Sequence, residues 1–150
     1  MAKEPKGTLL VIDADGVVLG RAATHIAKAL LSSADTRVAV INAEKALITG
    51  SPKGIEARYH QRRTVGKERR GPFYPSRPER IFKRAVRGML PFKQDRGREA
   101  YKRLKCYNGV PREFAGVKAE RPKHATTVRT ARYITLAQVA QSIGGWKPAH

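Results

Sequence analysis

The first third of the chain joins two continuous apolar runs through a stretch with helical spacing. Thr8–Asp13 and Thr36–Asn42 are rich in branched apolar residues, a pattern typical of strands buried on both faces of a parallel sheet. Between them, Leu19–Leu31 repeats alanine, isoleucine and leucine at i, i+4 and i+8, which predicts an amphipathic helix. Strand, helix and strand in this order predict a βαβ unit.

The apolar pattern breaks at Gly50 and does not return until Pro78. Four prolines fall in this interval and oppose regular structure. A loop of this length inside a compact domain is normally either functional or disordered. We therefore expect a long irregular arm over residues 51–78 that becomes ordered on its partner.

Regular structure is expected to resume in the second half of the chain. Ser76 and Glu79 have the spacing of a capping box, and apolar pairs four residues apart predict a helix over 79–90 that Pro91 ends. The further predicted elements are a short helix over 95–105, a short strand over 104–109 and a last helix over 136–143 capped by Thr135. These elements predict a single α/β domain spanning residues 1–150.

Charge is distributed unevenly along the 150 residues, whose formal net charge is +19. Residues 53–105 contain eighteen Lys or Arg against five Asp or Glu, and twelve of the eighteen are Arg. Such a density of charge repels itself unless a polyanion neutralises it. Nucleic acid is the expected polyanion, because phosphate neutralisation with counterion release supplies much of the binding free energy. The charges do not separate RNA from DNA, but a structured RNA suits an irregular basic arm better than a duplex groove does.

Two parts of this basic segment are predicted to bind RNA. The arm at 51–78 interleaves cations with rings that can stack on unpaired bases, and the helical segment at 79–105 carries cations opposite its apolar face. The predicted RNA-binding residues of the arm are Arg58, Tyr59, His60, Arg62, Arg63, Lys67, Arg69, Arg70, Phe73 and Tyr74. Those of the helical segment are Arg80, Lys83, Arg84, Arg87, Lys93, Arg96, Arg98, Lys102, Arg103 and Lys105.

The sequence does not indicate a nucleotide-binding, zinc-binding or catalytic site. Gly16 and Gly20 match neither the dinucleotide-binding nor the P-loop spacing, and the four histidines lack zinc-ligand spacing. No Ser–His–Asp or Cys–His arrangement can be argued from spacing. A single cysteine, Cys106, excludes an intramolecular disulfide and fits a reducing cytosol. There is no run of eighteen apolar residues, so no transmembrane helix is expected.

We therefore expect no catalysis, no cofactor, no bound metal, no membrane partner and no small-molecule substrate. Two alternatives stay open at this point. One is a nucleic-acid enzyme that uses Asp13, Asp15 and Glu44 around a metal ion. The other is a regulatory RNA-binding protein that acts on messages.

Three separated segments of the chain share their motifs and their order with one known family. They are Val11-Ile-Asp-Ala-Asp-Gly-Val-Val-Leu-Gly-Arg-Ala-Ala23, then Val40-Ile-Asn-Ala-Glu-Lys-Ala-Leu-Ile-Thr-Gly50, and then Ala85-Val-Arg-Gly-Met-Leu-Pro91 with Arg96-Gly-Arg98 and Leu104-Lys-Cys-Tyr-Asn-Gly-Val-Pro111. On these segments the sequence resembles the large-subunit ribosomal protein thirteen family over roughly residues 8–111, with a weaker similarity over 133–146. Val110–Phe114 differs from the bacterial pattern, and the 58–74 segment resembles the archaeal and eukaryotic branch. The chain length favours an archaeal member.

The resemblance implies a fold and a role. The fold is a three-layer α/β/α domain with a small, mainly parallel sheet of four strands. The role is that of a structural protein of the large ribosomal subunit in the cytoplasm, bound to large-subunit ribosomal RNA and neighbouring ribosomal proteins, which supports subunit assembly and translation. Within the matching motif, Arg87 and Arg98 are the foremost expected RNA contacts, whereas Met89 and Leu90 are expected to pack.

Overall fold

The computed structural model describes residues 7–69, 71 and 73–148 of the chain. The predicted βαβ unit is confirmed: β1 (Leu9–Asp13) and β2 (Arg37–Ile41) are parallel and are joined by α1 (Leu19–Ser32). The other elements, in chain order, are β3 (Leu47–Thr49), α2 (Pro52–Thr64), α3 (Pro78–Arg87), α4 (Asp95–Lys102), β4 (Leu104–Cys106), α5 (Lys123–Thr126), β5 (Tyr133–Thr135) and α6 (Leu136–Ser142). Short 3-10 helices lie at Ala43–Lys45 and Arg112–Phe114.

The central sheet has three parallel strands in the order β1-β2-β4. A fourth position, beside β1, is occupied by a single residue: Glu120 forms a parallel bridge to Ile12. The pairing stops there because Pro122, two residues on, has no N–H to donate. β3 pairs with β5 in a separate antiparallel sheet. The expectation of one four-stranded sheet is therefore wrong for the described residues.

The two faces of the central sheet are covered differently. One face packs the side chains of Ile12, Val38 and Val40 into the main core with α1, α3 and α6. The opposite face carries the smaller cluster of Val11, Ala39 and Ile41, covered by Tyr107, Phe114 and Ala119. Apart from the 3-10 helix at 112–114, this cover comes from irregular segments. The second helical layer implied by the resemblance is therefore not found in the part of the chain that the structure describes.

The segment predicted to be irregular contains a 13-residue helix, α2. Pro52 occupies its first turn, a position that suits proline because its missing N–H has no partner there. Ile55 and Tyr59, four residues apart, are the buried residues of this helix and belong to the main core. Two buried positions are too few to show as helical periodicity among exposed polar residues. The prediction of an irregular arm is therefore wrong over residues 52–64.

The sequence predicts side-chain caps at the N-termini of two helices, α6 and α3. α6 begins with a complete capping box: the Gln138 backbone N–H donates to Thr135 Oγ1 at 3.3 Å, and the Thr135 N–H donates to Gln138 Oε1 at 3.1 Å. The predicted Ser76 capping box of α3 is wrong, because the residue before this helix is Arg77 and no side chain caps it. Ser76 lies instead against Gly145, where an added Cβ would come within 1.9 Å of the Ser76 Cβ.

Candidate nucleic-acid interface

The helix α3 forms the centre of a basic surface. Ile81, Phe82 and Val86 are fully buried and fix the orientation of the helix on the core. The opposite side of the helix carries the four predicted cations Arg80, Lys83, Arg84 and Arg87. Among the described residues, no carboxylate forms a salt bridge with any of these four side chains. Within the described part of the chain, no ion pair therefore neutralises their charge.

Aromatic rings hold three of these cations in place. The Arg87 guanidinium carbon lies 4.0 Å from the centroid of the Phe92 ring, and Lys83 Nζ lies 4.7 Å from that of Tyr101. The Arg84 guanidinium carbon lies 4.9 Å from the centroid of the Tyr74 ring. Cation–π contacts of this kind orient a long side chain without cancelling its charge. The cations are therefore positioned and still available to an anion.

Three adjoining concavities run across this part of the surface. One of about 520 Å³ lies between α3 and the 91–94 segment, one of about 500 Å³ between α2 and α3, and one of about 320 Å³ between α3 and Tyr101. Arg84 lines all three, so they form one continuous region. We call it the α3 surface, and its charged and aromatic members are Tyr59, Arg62, Tyr74, Arg80, Lys83, Arg84, Arg87, Phe92, Lys93 and Tyr101. Shallow concavities lined by unpaired cations suit the phosphates of a nucleic-acid backbone.

The predicted residues of the arm divide between exposed and buried positions. Arg58, His60, Arg62 and Arg63 are exposed on α2, and Lys67, Arg69 and Phe73 are exposed beyond it. Arg70 lies outside the described residues. Tyr59 is only 7% exposed, and burial raises its pKa to about 12. Its ring packs in the core, and its stacking on an unpaired base stays a prediction.

Arg103 has a structural task that sequence reasoning missed. Its guanidinium donates hydrogen bonds to the backbone oxygens of Leu30 at 2.9 Å, Ser33 at 2.8 Å and Thr36 at 2.6 Å. These carbonyls lie at and just after the end of α1, where they have no partner within the helix. The positive charge also complements the helix dipole there. These bonds hold the Arg103 side chain at the end of α1, and its contact with RNA stays a prediction.

The remaining cations of the helical segment are not all on the α3 surface. Arg98 pairs with Asp95 within α4, and Arg96 Nε donates to Gln94 Oε1 at 2.9 Å. Lys102 and Lys105 line a separate cavity of about 360 Å³ on the second face of the sheet. The structure thus brings together the cations of α3 with Arg62 and Lys93, whereas Lys102 and Lys105 lie on another face.

The carboxylates of the enzymatic alternative are engaged in structural hydrogen bonds. Asp13 accepts from Asn42 Nδ2 at 2.9 Å and from Arg121 Nη2 at 2.6 Å, and Glu44 accepts from the Gly109 N–H at 2.9 Å. Burial raises the pKa of Asp13, but the hydrogen bonds from Asn42, the Asp15 amide and Arg121, together with the charge of Arg121, outweigh it and lower the pKa below its ordinary value of 3.8. No local signal in the sequence could have paired Asp13 with Arg121, which lies 108 residues away.

The described residues offer neither a metal-binding cluster nor a membrane-spanning helix. No group of three or more His, Cys, Asp or Glu side chains is placed to hold a metal ion in residues 7–69, 71 and 73–148. Within the same described part of the chain, no helix has both the length and the apolar character that crossing a membrane requires. The α3 surface is therefore the candidate site that the structure supports best.

The known proteins that this chain resembles belong to one family. The sequence profile described as Ribosomal protein L13 matches residues 7–113. The protein named large ribosomal subunit protein uL13 of Archaeoglobus fulgidus is 47% identical over 137 residues, which covers 89% of this chain and 86% of the relative. Its namesake in Methanopyrus kandleri is 46% identical, covering 92% and 88%, and that in Methanosarcina barkeri is 44% identical, covering 91% and 98%. The chain therefore belongs to the ribosomal protein L13 family.

Proposed function

We propose that this protein is a structural constituent of the large ribosomal subunit, without catalytic activity, that binds large-subunit ribosomal RNA through the α3 surface and the exposed cations of α2. In this role it supports subunit assembly and translation in the cytoplasmic ribosome. Its partners are the RNA and the neighbouring proteins of the subunit. The observation that carries the proposal is the set of unneutralised cations that aromatic rings hold on one continuous surface around Arg84.

The chemistry of the surface favours binding to the RNA backbone. Its cavities are shallow and basic, which suits phosphates better than a buried small molecule. Guanidinium groups bind phosphate oxygens through two parallel hydrogen bonds, and arginine predominates on this surface. If six to ten phosphates are contacted, affinity should fall about 10³–10⁵-fold between 50 and 200 mM salt.

Sedimentation of a lysate of the source cells tests the proposed role. The lysate is separated on a sucrose gradient at high salt, and the fractions are probed for this chain. We expect the chain to travel with the large subunit in a one-to-one ratio. Recovery at the top of the gradient, free or with other RNA, would contradict the proposal and favour a regulatory RNA-binding protein.

Variants of the α3 surface test the proposed contact. Arg80→Gln and Arg87→Gln together remove two unpaired charges, and Arg112→Gln together with Arg129→Gln removes two exposed charges elsewhere. We expect the first pair to weaken binding to a large-subunit rRNA transcript more than the second pair. Equal losses would show that net charge, rather than this surface, determines binding.

A further inference from the structure

The concavity between α2 and α3 has an unusual lining. Its volume is about 500 Å³, and it is lined by two tyrosines and two arginines, together with Ala85 of α3 and Gly88 directly after that helix. The guanidinium carbons of Arg62 and Arg84 lie 5.5 and 4.9 Å from the centroid of the same ring, that of Tyr74. Tyr74 in turn packs edge to face on the buried Tyr59, with the ring centroids 5.7 Å apart. Tyr74 thus contacts both cations that face the cavity, and the Arg62 guanidinium carbon also lies 5.4 Å from the centroid of the Tyr59 ring.

The two guanidinium groups are not compensated by the protein. Among the described residues, neither Arg62 nor Arg84 has a carboxylate within salt-bridge distance. Arg62 Nη1 lies 3.4 Å from the Tyr74 hydroxyl, which leaves most of its donors unused. Two like charges held beside one cavity repel each other. An anion bound between them attracts both guanidinium groups, and these attractions outweigh the repulsion.

We propose that this cavity binds the backbone phosphates of one RNA strand, with Arg62 and Arg84 as the ligands and Tyr74 as the positioning residue. We call these three residues the arginine clamp. The proposal rests on the proposed function, since it assigns a defined phosphate site within the larger surface. Each guanidinium presents a planar pair of donors to phosphate oxygens, which a lysine ammonium does not reproduce.

The clamp also fixes the base of the loop that follows α2. Arg62 lies in the last turn of α2 and Tyr74 at the far end of the loop, so their contact holds the two ends together. A phosphate bound by Arg62 and Arg84 links α2, the loop and α3 through a single ligand. The exposed cations Lys67 and Arg69 are then presented from a loop whose ends are held in place.

Phosphate-ethylation interference tests the clamp directly. A large-subunit rRNA transcript is ethylated at random phosphates and bound to the full-length wild-type chain, to the Arg62→Gln/Arg84→Gln double variant, and to the charge-matched control Arg112→Gln/Arg129→Gln. We expect one or two phosphates whose ethylation blocks the wild type and the control but not the clamp variant. The slope of log affinity against log salt should fall by about 0.7–0.9 for each phosphate contact that the clamp variant loses, so by about 0.7–1.8 for one or two phosphates.

A second variant tests the cavity without changing charge. Gly88 lines this cavity and the neighbouring one beside residues 91–94, and a Cβ there would meet only the Ala85 and Arg84 carbonyl oxygens, at 3.5 and 3.9 Å, so a side chain fits the backbone and occupies space at the border of the two cavities. We expect Gly88→Leu to melt at nearly the wild-type temperature and to lose the same phosphate contacts as the clamp variant. Full wild-type interference in Gly88→Leu would contradict a phosphate bound in the cavity.

The role of Tyr74 requires a test that separates positioning from folding. Tyr74→Leu should weaken RNA binding about tenfold in the wild-type background and have no further effect in the Arg62→Gln/Arg84→Gln background. An equal loss in both backgrounds would overturn the positioning role.

The outcomes separate the clamp from the wider proposal. A clamp variant with the affinity, salt slope and interference pattern of the control overturns the clamp and leaves RNA binding by the α3 surface intact. A wild-type chain that does not bind the transcript, or binds without salt dependence, overturns the proposed function and the clamp with it.

Discussion

Replacing Arg103 by methionine removes the hydrogen bonds at the end of α1 and keeps a long, unbranched side chain. The three carbonyl oxygens of Leu30, Ser33 and Thr36 lose a charged donor at 2.9, 2.8 and 2.6 Å. The Leu30 and Thr36 bonds are partly buried, so water replaces them poorly. We expect the variant to fold with reduced stability and to keep its RNA-binding surface.

The magnitude follows from the number and kind of bonds. A hydrogen bond from a charged group contributes about 1.5–3 kcal/mol, and an exposed one less because water replaces it. With two partly buried bonds, one exposed bond and a helix-dipole contribution of about 0.5 kcal/mol, we expect a loss of about 3 kcal/mol in the free energy of unfolding. For a domain of this size the melting temperature should fall by about 6–12 °C.

Urea unfolding, followed by circular dichroism, measures this loss, and Arg112→Met is the matched control. Arg112 is exposed on the 3-10 helix at 112–114, so its replacement should change stability by less than about 0.5 kcal/mol. Arg103→Met should bind the rRNA transcript with the wild-type salt slope at a temperature where both are folded. A loss below about 1 kcal/mol, or a reduced salt slope, would refute the assignment of Arg103 to the end of α1.

Three further predictions address other parts of the structure. Gly97→Ala places a Cβ 2.1 Å from the Pro91 carbonyl oxygen, so this variant should lose more than about 2 kcal/mol in the free energy of unfolding measured in urea. The control is Gly20→Ala, whose Cβ meets open space and which should be neutral or slightly stabilising. The lowered pKa of Asp13 means that its ionised form stabilises the fold above its ordinary pKa of 3.8, and that this stabilisation is lost as pH falls through the lower folded value. The stability difference between the wild type and Asp13→Asn should therefore be full at pH 6 and shrink below pH 4 in urea titrations; a constant difference would contradict the ion pair. Partial burial raises the pKa of the Cys106 thiol to about 12, so a thiol reagent at pH 8 should modify it much more slowly in the folded chain than in urea, and equal rates would contradict the raised pKa.

Local patterns predict the parts of this fold that are long and buried on a continuous stripe. The βαβ unit shows in the sequence because its strands and helix repeat apolar residues at their own periods. The sequence gives no periodic signal for α2, because Ile55 and Tyr59 are its only buried residues and its other side chains are exposed or partly exposed. The pairing of β3 with β5 joins two three-residue strands from distant parts of the chain, and so short a strand carries no clear period.

The candidate site was only partly predictable for a related reason. The density of charge identifies the segment and the class of partner, since both depend on composition. It does not show which cations share a face or already have partners within the protein. Arg84 and Arg103 look alike in the sequence, yet one faces an open cavity and the other bonds to backbone carbonyls. That difference depends on where α1 ends relative to the end of α4, which is a property of the tertiary structure.

Ultraviolet cross-linking of purified large subunits, followed by mass spectrometry of RNA–peptide adducts, identifies the residues of this chain that contact ribosomal RNA. We expect adducts concentrated in residues 58–69 and 78–94, which carry the exposed cations of α2 and the α3 surface. Adducts confined to residues 102–118 or 129–148, with none on α3, would contradict this expectation.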